Sequence, residues 1–183
     1  MNSISLPSDS PLLRKSFLYG TATSSFQIEG DVDNRLESIW DRFCERPSAI
    51  ADSSNGDVAC DHINRWKEDF EILLDLNVDA YRFSISWPRV MTKEGELNPK
   101  GIAFYQTLIN ALNDKGIKPF VTLYHWDLPQ HLEDKGGWLN RQTAFEFENY
   151  ADKVSKALGE DVYSYATFNE PFCSAYLGYE IGV

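Results

Sequence analysis

This sequence has little cysteine, little histidine and no long apolar run. Its three cysteines, Cys44, Cys60 and Cys173, are odd in number and widely spaced. That excludes a disulfide scaffold and reads as reduced thiols in a cytoplasmic protein. Of the three histidines, His62 stands near Cys60, Asp57 and Asp61, but the spacing fits no standard ligand set, so no metal is expected. No stretch approaches the ~20 apolar residues of a membrane span. Residues 1–14 are broken by Ser, Pro and Asp, so no signal peptide is expected. Basic residues are also short, 17 against 28 acidic, for a formal net charge of −11. That balance argues against nucleic acid or an anionic membrane as partner. Linkers, low-complexity tracts and an interior domain boundary are missing too.

What the chain does have is aromatic side chains, 14% of its residues, enough for sugar stacking as well as core packing. Four strand-like runs recur, at residues 17–23, 78–86, 118–125 and 162–170. Between them lie three helical patterns. The first covers 61–76, with Trp66, Phe70, Leu73 and Leu74 on one face. The second has Asn98 as cap, Pro99 in its first turn and Gly116 as stop. The third opens on Thr143 and Glu146 in capping-box spacing and stops at Gly159. A fourth helix starts near residues 172–178. Residues 31–57 read as an irregular loop over the catalytic face, and residues 1–16 as an irregular N-terminal segment.

Strand alternating with helix means parallel βα units. The strand ends Arg82, His125 and Glu170 recur at roughly 45-residue intervals, too long for a solenoid and suited to a barrel with long loops. The expected fold is therefore α/β, the first half of a (β/α)8 TIM barrel: about four units, with residues 1–183 as the N-terminal half of one catalytic domain. Ala166-Thr167-Phe168-Asn169-Glu170-Pro171 reads as a strand that delivers a carboxylate to its loop, because proline cannot continue a ladder.

Four segments together resemble glycoside hydrolase family 1, the β-glucosidase family: FLYGTATSSFQIEG (17–30), YRFSISWPR (81–89), PFVTLYHWDLPQ (119–130) and TFNEP (167–171), with GGWLN (136–140) between them. The resemblance runs from about Phe17 onward. It departs at Asn34-Arg35-Leu36-Glu37, where the family usually has a Gly-Arg-Gly-type turn, and at Tyr163-Ser164-Tyr165, where it often has a Trp. The family's second catalytic carboxylate, in a Thr-Glu-Asn-Gly motif on the seventh strand, has no match in the sequence.

The resemblance implies a retaining β-glucosidase acting on a β-glucoside or oligosaccharide, with no cofactor. Such enzymes use two carboxyl groups ~5–5.5 Å apart. Glu170 would be the acid/base. Asn169 would bond the sugar 2-hydroxyl, which requires an irregular strand end, since neighbouring strand residues face opposite ways. Gln27 and His125 would bind glycone hydroxyls and Trp126 would shape the wall. Arg82 would support the missing nucleophile, or else pair with a structural carboxylate. Trp87 and Trp138 read as packing, and Asp127 as a brace for the loop around Pro129. The chain would then be the acid/base half of an enzyme, inactive alone and needing a complementary C-terminal half as partner. A non-catalytic carbohydrate-binding or scaffold fragment, or a bare fragment without function, stand as alternatives.

Overall fold

The computed structural model describes residues 5–182. Four strands form one parallel sheet in sequence order: β1 (Gly20–Ala22), β2 (Ala80–Ser84), β3 (Lys118–Tyr124) and β4 (Ser164–Phe168). Ala22 stands beside Arg82, Arg82 beside Phe120, and Phe120 beside Ser164. Each strand is shorter than the run that predicts it, β1, β2 and β4 at both ends and β3 at its C-terminal end.

Seven helical pieces accompany the sheet. They are α1 (Ser25–Ile28), α2 (Ile39–Cys44), α3 (His62–Asp75), α4 (Trp87–Val90), α5 (Pro99–Asp114), α6 (Gln130–Glu133) and α7 (Arg141–Leu158). In α5 the predicted start is met: Asn98 Oδ1 accepts from Lys100 N at 3.2 Å, and Pro99 occupies the first turn. Gly116, at φ +75°, turns the chain just past its end. In α7 the cap is Asn140, whose Oδ1 accepts from Gln142 N at 3.0 Å, and not Thr143. The Thr143 hydroxyl is buried and donates to the Gly137 carbonyl at 2.6 Å. It is thereby committed to the preceding turn. Likewise Asp61 precedes α3 at φ +53° without capping it.

Residues 31–57 are more ordered than expected. Ser38 and Asp41 form a capping box at the start of α2. Arg35 donates to both Asp41 oxygens, at 2.5 and 2.7 Å. The N-terminal segment carries one 3-10 turn, Pro11–Leu13, in the described part of residues 1–16. The last helix is a π-helical stretch, Cys173–Glu180.

The core lies between sheet and helices. Tyr81 and Phe83 of β2 and Val121 and Leu123 of β3 meet Ile102, Tyr105, Ile109 and Leu112 of α5 and Tyr150, Val154 and Leu158 of α7. Phe83 stacks on Tyr105, and Trp87 on Tyr150 with centroids 4.7 Å apart. The edges differ from the centre. β2 and β3 are mostly buried, whereas no residue of β1 or β4 is. Tyr163, Tyr165, Phe172, Tyr176 and Ile181 are exposed just before, on and beyond β4. Both edge strands have one hydrogen-bonded neighbour. An unpaired parallel edge beside exposed aromatics is what an unclosed barrel presents.

Candidate active site

Of the sequence-predicted residues, His125 and Trp126 follow β3 and Asn169 and Glu170 follow β4, while Arg82 lies mid-strand in β2 and Gln27 lies in α1. β4 stops at Phe168, and Asn169 is then fixed three ways. Its N–H donates to the Tyr124 carbonyl at 2.8 Å. Its carbonyl accepts from Trp126 Nε1 at 2.9 Å, and its Oδ1 accepts from Arg82 Nη2 at 2.8 Å. Glu170 follows at φ +42°, in the left-handed region. A non-glycine residue held there costs ~1–3 kcal/mol and persists because its surroundings dictate it. This is the irregular strand end that Asn169 and Glu170 need in order to serve one site. Trp126, two residues past β3 as Glu170 is past β4, is likewise left-handed, at φ +72°. Cys173 Sγ donates to Glu170 Oε2 at 3.5 Å, and Glu170 is otherwise exposed.

Arg82 makes no ion pair among the described residues. Its Nε donates to Thr122 Oγ1 at 2.9 Å, and its second bond is the one to Asn169. The alternative of a structural carboxylate partner is thus not met. Arg82 spans from β2 past β3 to the end of β4.

His125 is half-buried, and its Nδ1 has no hydrogen-bond partner among the described residues. Burial pushes its pKa below the usual histidine value. The Arg82 charge pushes the same way and Glu170 opposes. The ring is therefore neutral at pH 7 and able to donate and accept. Gln27 sits in the helical turn α1, not on a strand, and its Oε1 accepts from Ser24 Oγ at 2.6 Å.

Gln27, His125 and Trp126 line one cavity of about 290 Å³, which Phe26 and Trp40 wall on the apolar side. Trp40 comes from the 31–57 segment. Asn169 and Glu170 do not line that cavity. Asn169 adjoins it through the bond from Trp126. Trp87 and Trp138 pack, as expected, with Tyr124, Phe147, Tyr150 and Phe168.

A buried ion-pair cluster around Arg89 escaped the sequence reading. Arg89 Nε donates to Glu29 Oε2 at 2.9 Å, Nη1 to Asp31 Oδ2 at 2.9 Å, and Nη2 to the Gly30 carbonyl at 2.8 Å. The Tyr105 hydroxyl donates to the other Glu29 oxygen. The available signal was an arginine inside the largely apolar run 85–91, since such a charge must be paired. Asp127 does not brace the loop around Pro129. Its Oδ2 accepts from Ser25 Oγ at 2.9 Å, across to α1.

A parallel sheet with carboxylate, amide, imidazole and guanidinium groups gathered at its strand ends is the construction of an α/β-barrel enzyme. Comparison with known proteins makes this specific. The family model for glycosyl hydrolase family 1 matches residues 10–183, and the chain belongs to that family. It is 48% identical over 170 residues to the beta-glucosidase of Agrobacterium sp., covering 91% of this chain and 37% of that protein. The structure resembles the GH1 beta-glucosidase of Exiguobacterium antarcticum B7 with TM-score 0.90 at 48% identity, over 92% of this chain and 38% of that one. It also resembles the Thermotoga maritima beta-glucosidase in complex with deoxynojirimycin, with TM-score 0.88 at 49% identity, over 93% and 39%. The chain spans under two-fifths of the length of these relatives. Its four βα units are the N-terminal half of a TIM barrel.

Proposed function

We propose that this chain supplies the acid/base half of a retaining β-glucosidase active site. The observation that carries the reading is the left-handed strand end, where Asn169 is held by Arg82 and Trp126 while Glu170 turns out beside it. Glu170 protonates the glycosidic oxygen as the aglycone leaves, then takes a proton from the attacking water. Asn169 bonds the sugar 2-hydroxyl, a contact that strengthens in the transition state. Gln27 and the neutral His125 hold outer glycone hydroxyls against the Trp126 wall. Arg82, without a carboxylate of its own among the described residues, lies ready to stabilise the ionised nucleophile. That nucleophile, with the remaining four strands, comes from sequence outside these 183 residues. The support is family membership, the beta-glucosidase names of the relatives and this geometry. The three thiols, none of them in a disulfide, favour a cytoplasmic setting.

The test is to assay residues 1–183 alone, and then with the completing strands supplied in the same or a second chain, on an aryl β-glucoside. The completed barrel is expected to turn over and the 1–183 chain is not. Turnover by 1–183 alone that Glu170→Gln abolishes overturns the half-site reading. A completed barrel inactive on every β-glucoside overturns the function.

A further inference from the structure

A buried polar chain joins the end of β2 to the segments that follow β1 and β3. Ser84 ends β2, Ser25 opens α1 beyond β1, and Asp127 lies three residues beyond β3. They are 2%, 2% and 1% exposed, so their hydrogen bonds do not compete with solvent. The bonds run in one direction. Ser25 N donates to Ser84 Oγ at 2.7 Å, Ser84 Oγ to Ser25 Oγ at 3.0 Å, and Ser25 Oγ to Asp127 Oδ2 at 2.9 Å. Gln27 is two residues beyond Ser25 in the same turn, and His125 is two residues before Asp127. Among the described residues, the Ser25–Asp127 bond is the one hydrogen bond between α1 and residues 125–127.

We propose that Asp127 is a positioning residue for glycone binding: through Ser25 and Ser84 it fixes the distance between the turn bearing Gln27 and the strand end bearing His125. The inference rests on the β-glucosidase reading. Two observations set the side chain's chemistry. Asp127 Oδ1 is buried without a hydrogen-bond partner among the described residues, a poor setting for a full negative charge. Burial, with Glu29 acting the same way, pushes its carboxyl up to about 7, although the Ser25 bond and the Arg35 charge pull down. At about 7 the group carries its proton about half the time at neutral pH, so accepting from Ser25 does not depend on a full charge, and an amide of the same shape should serve in its place. An alanine should not, because the Ser25 hydroxyl then loses its acceptor and the two peptides lose their tie.

The test uses the complete barrel carrying Asp127→Ala, Asp127→Asn or Ser25→Ala, the last as a milder break of the same chain. KM and kcat are measured on an aryl β-glucoside and on its 3-deoxy and 4-deoxy analogues. Asp127→Ala and Ser25→Ala should each raise KM about tenfold on the parent sugar, the worth of one or two weakened hydrogen bonds, with kcat changed less. On the analogue lacking the hydroxyl that Gln27 or His125 holds, the KM penalty should largely vanish. Asp127→Asn should restore KM to within about threefold of the parent protein. Equal penalties on parent and deoxy substrates, or an Asp127→Asn as damaging as Asp127→Ala, would overturn the inference while leaving the glucosidase reading intact. An unsubstituted barrel inactive on all β-glucosides would overturn both.

Discussion

Replacing Arg89 with methionine should cost the fold about 3–5 kcal/mol, the loss typical when one member of a buried ion pair is removed. Arg89 is 3% exposed and Glu29 4%. The guanidinium makes three bonds, to Glu29, Asp31 and the Gly30 carbonyl. Methionine fills similar volume, so the cavity contribution is small and the main effect is electrostatic. Glu29 is left buried with the Tyr105 hydroxyl as its remaining side-chain partner. Asp31 also loses its bond from Arg89. Equilibrium urea unfolding measures this directly. With a slope of about 2 kcal/mol per molar urea, the midpoint should fall by roughly 1.5–2.5 M. Adding Glu29→Gln should recover part of the loss, because a buried amide costs less than a buried unpaired carboxylate. A midpoint shift under about 0.5 M would refute the reasoning, and so would a double variant less stable than Arg89→Met.

Two further outcomes follow from the packing and the titrating groups. Gly101→Ala in α5 gains up to about 1 kcal/mol of helix propensity. Its Cβ would nonetheless stand 2.3 Å from the Arg89 carbonyl oxygen, so net destabilisation of about 1–3 kcal/mol is expected from overpacking, and a raised melting temperature would contradict it. Asp127 titrates near 7 in the fold and near 3.9 when unfolded. The folded state therefore holds the extra proton, and the contribution is present below about pH 4 and lost as pH rises towards 7. Thermal melts of Asp127→Asn should show a flatter decline across that window, and an unchanged slope would count against a buried, proton-bearing carboxyl.

The strands and long helices were legible because their signals are local. Ile102, Tyr105, Ile109 and Leu112 repeat at helical period and are buried. The aromatic run before Asn169 stops where Glu-Pro must stop a strand. The residues proposed for the site lie on β2 and just past β3 and β4, apart from Gln27 in α1. What the sequence left open depends on long-range partners. Asn140 and Thr143 are both competent caps, and the choice is made by the Gly137 carbonyl that takes the Thr143 hydroxyl. Gln27 lies not on β1, which stops at Ala22, but within the single helical turn α1 that follows it. The helix at 39–44 was hidden because six residues are too few for a periodic signal, and it rests on capping and the Arg35–Asp41 pair together with the packing of Ile39, Trp40 and Phe43. Asp127 was read as a local brace. Its partner Ser25 lies 102 residues away, and no spacing rule finds such a contact.

The measurement that tests the central claim most directly is leaving-group dependence in the completed barrel carrying Glu170→Gln. General acid help is worth ~10²–10⁴-fold. The variant should lose that much on alkyl β-glucosides, whose leaving oxygens need a proton. It should lose far less in the first step on substrates with very acidic leaving groups, and added azide should restore part of its turnover by attacking the glycosyl intermediate without a general base. Equal loss on both substrate types, with no response to azide, would contradict the assignment of Glu170 as the acid/base.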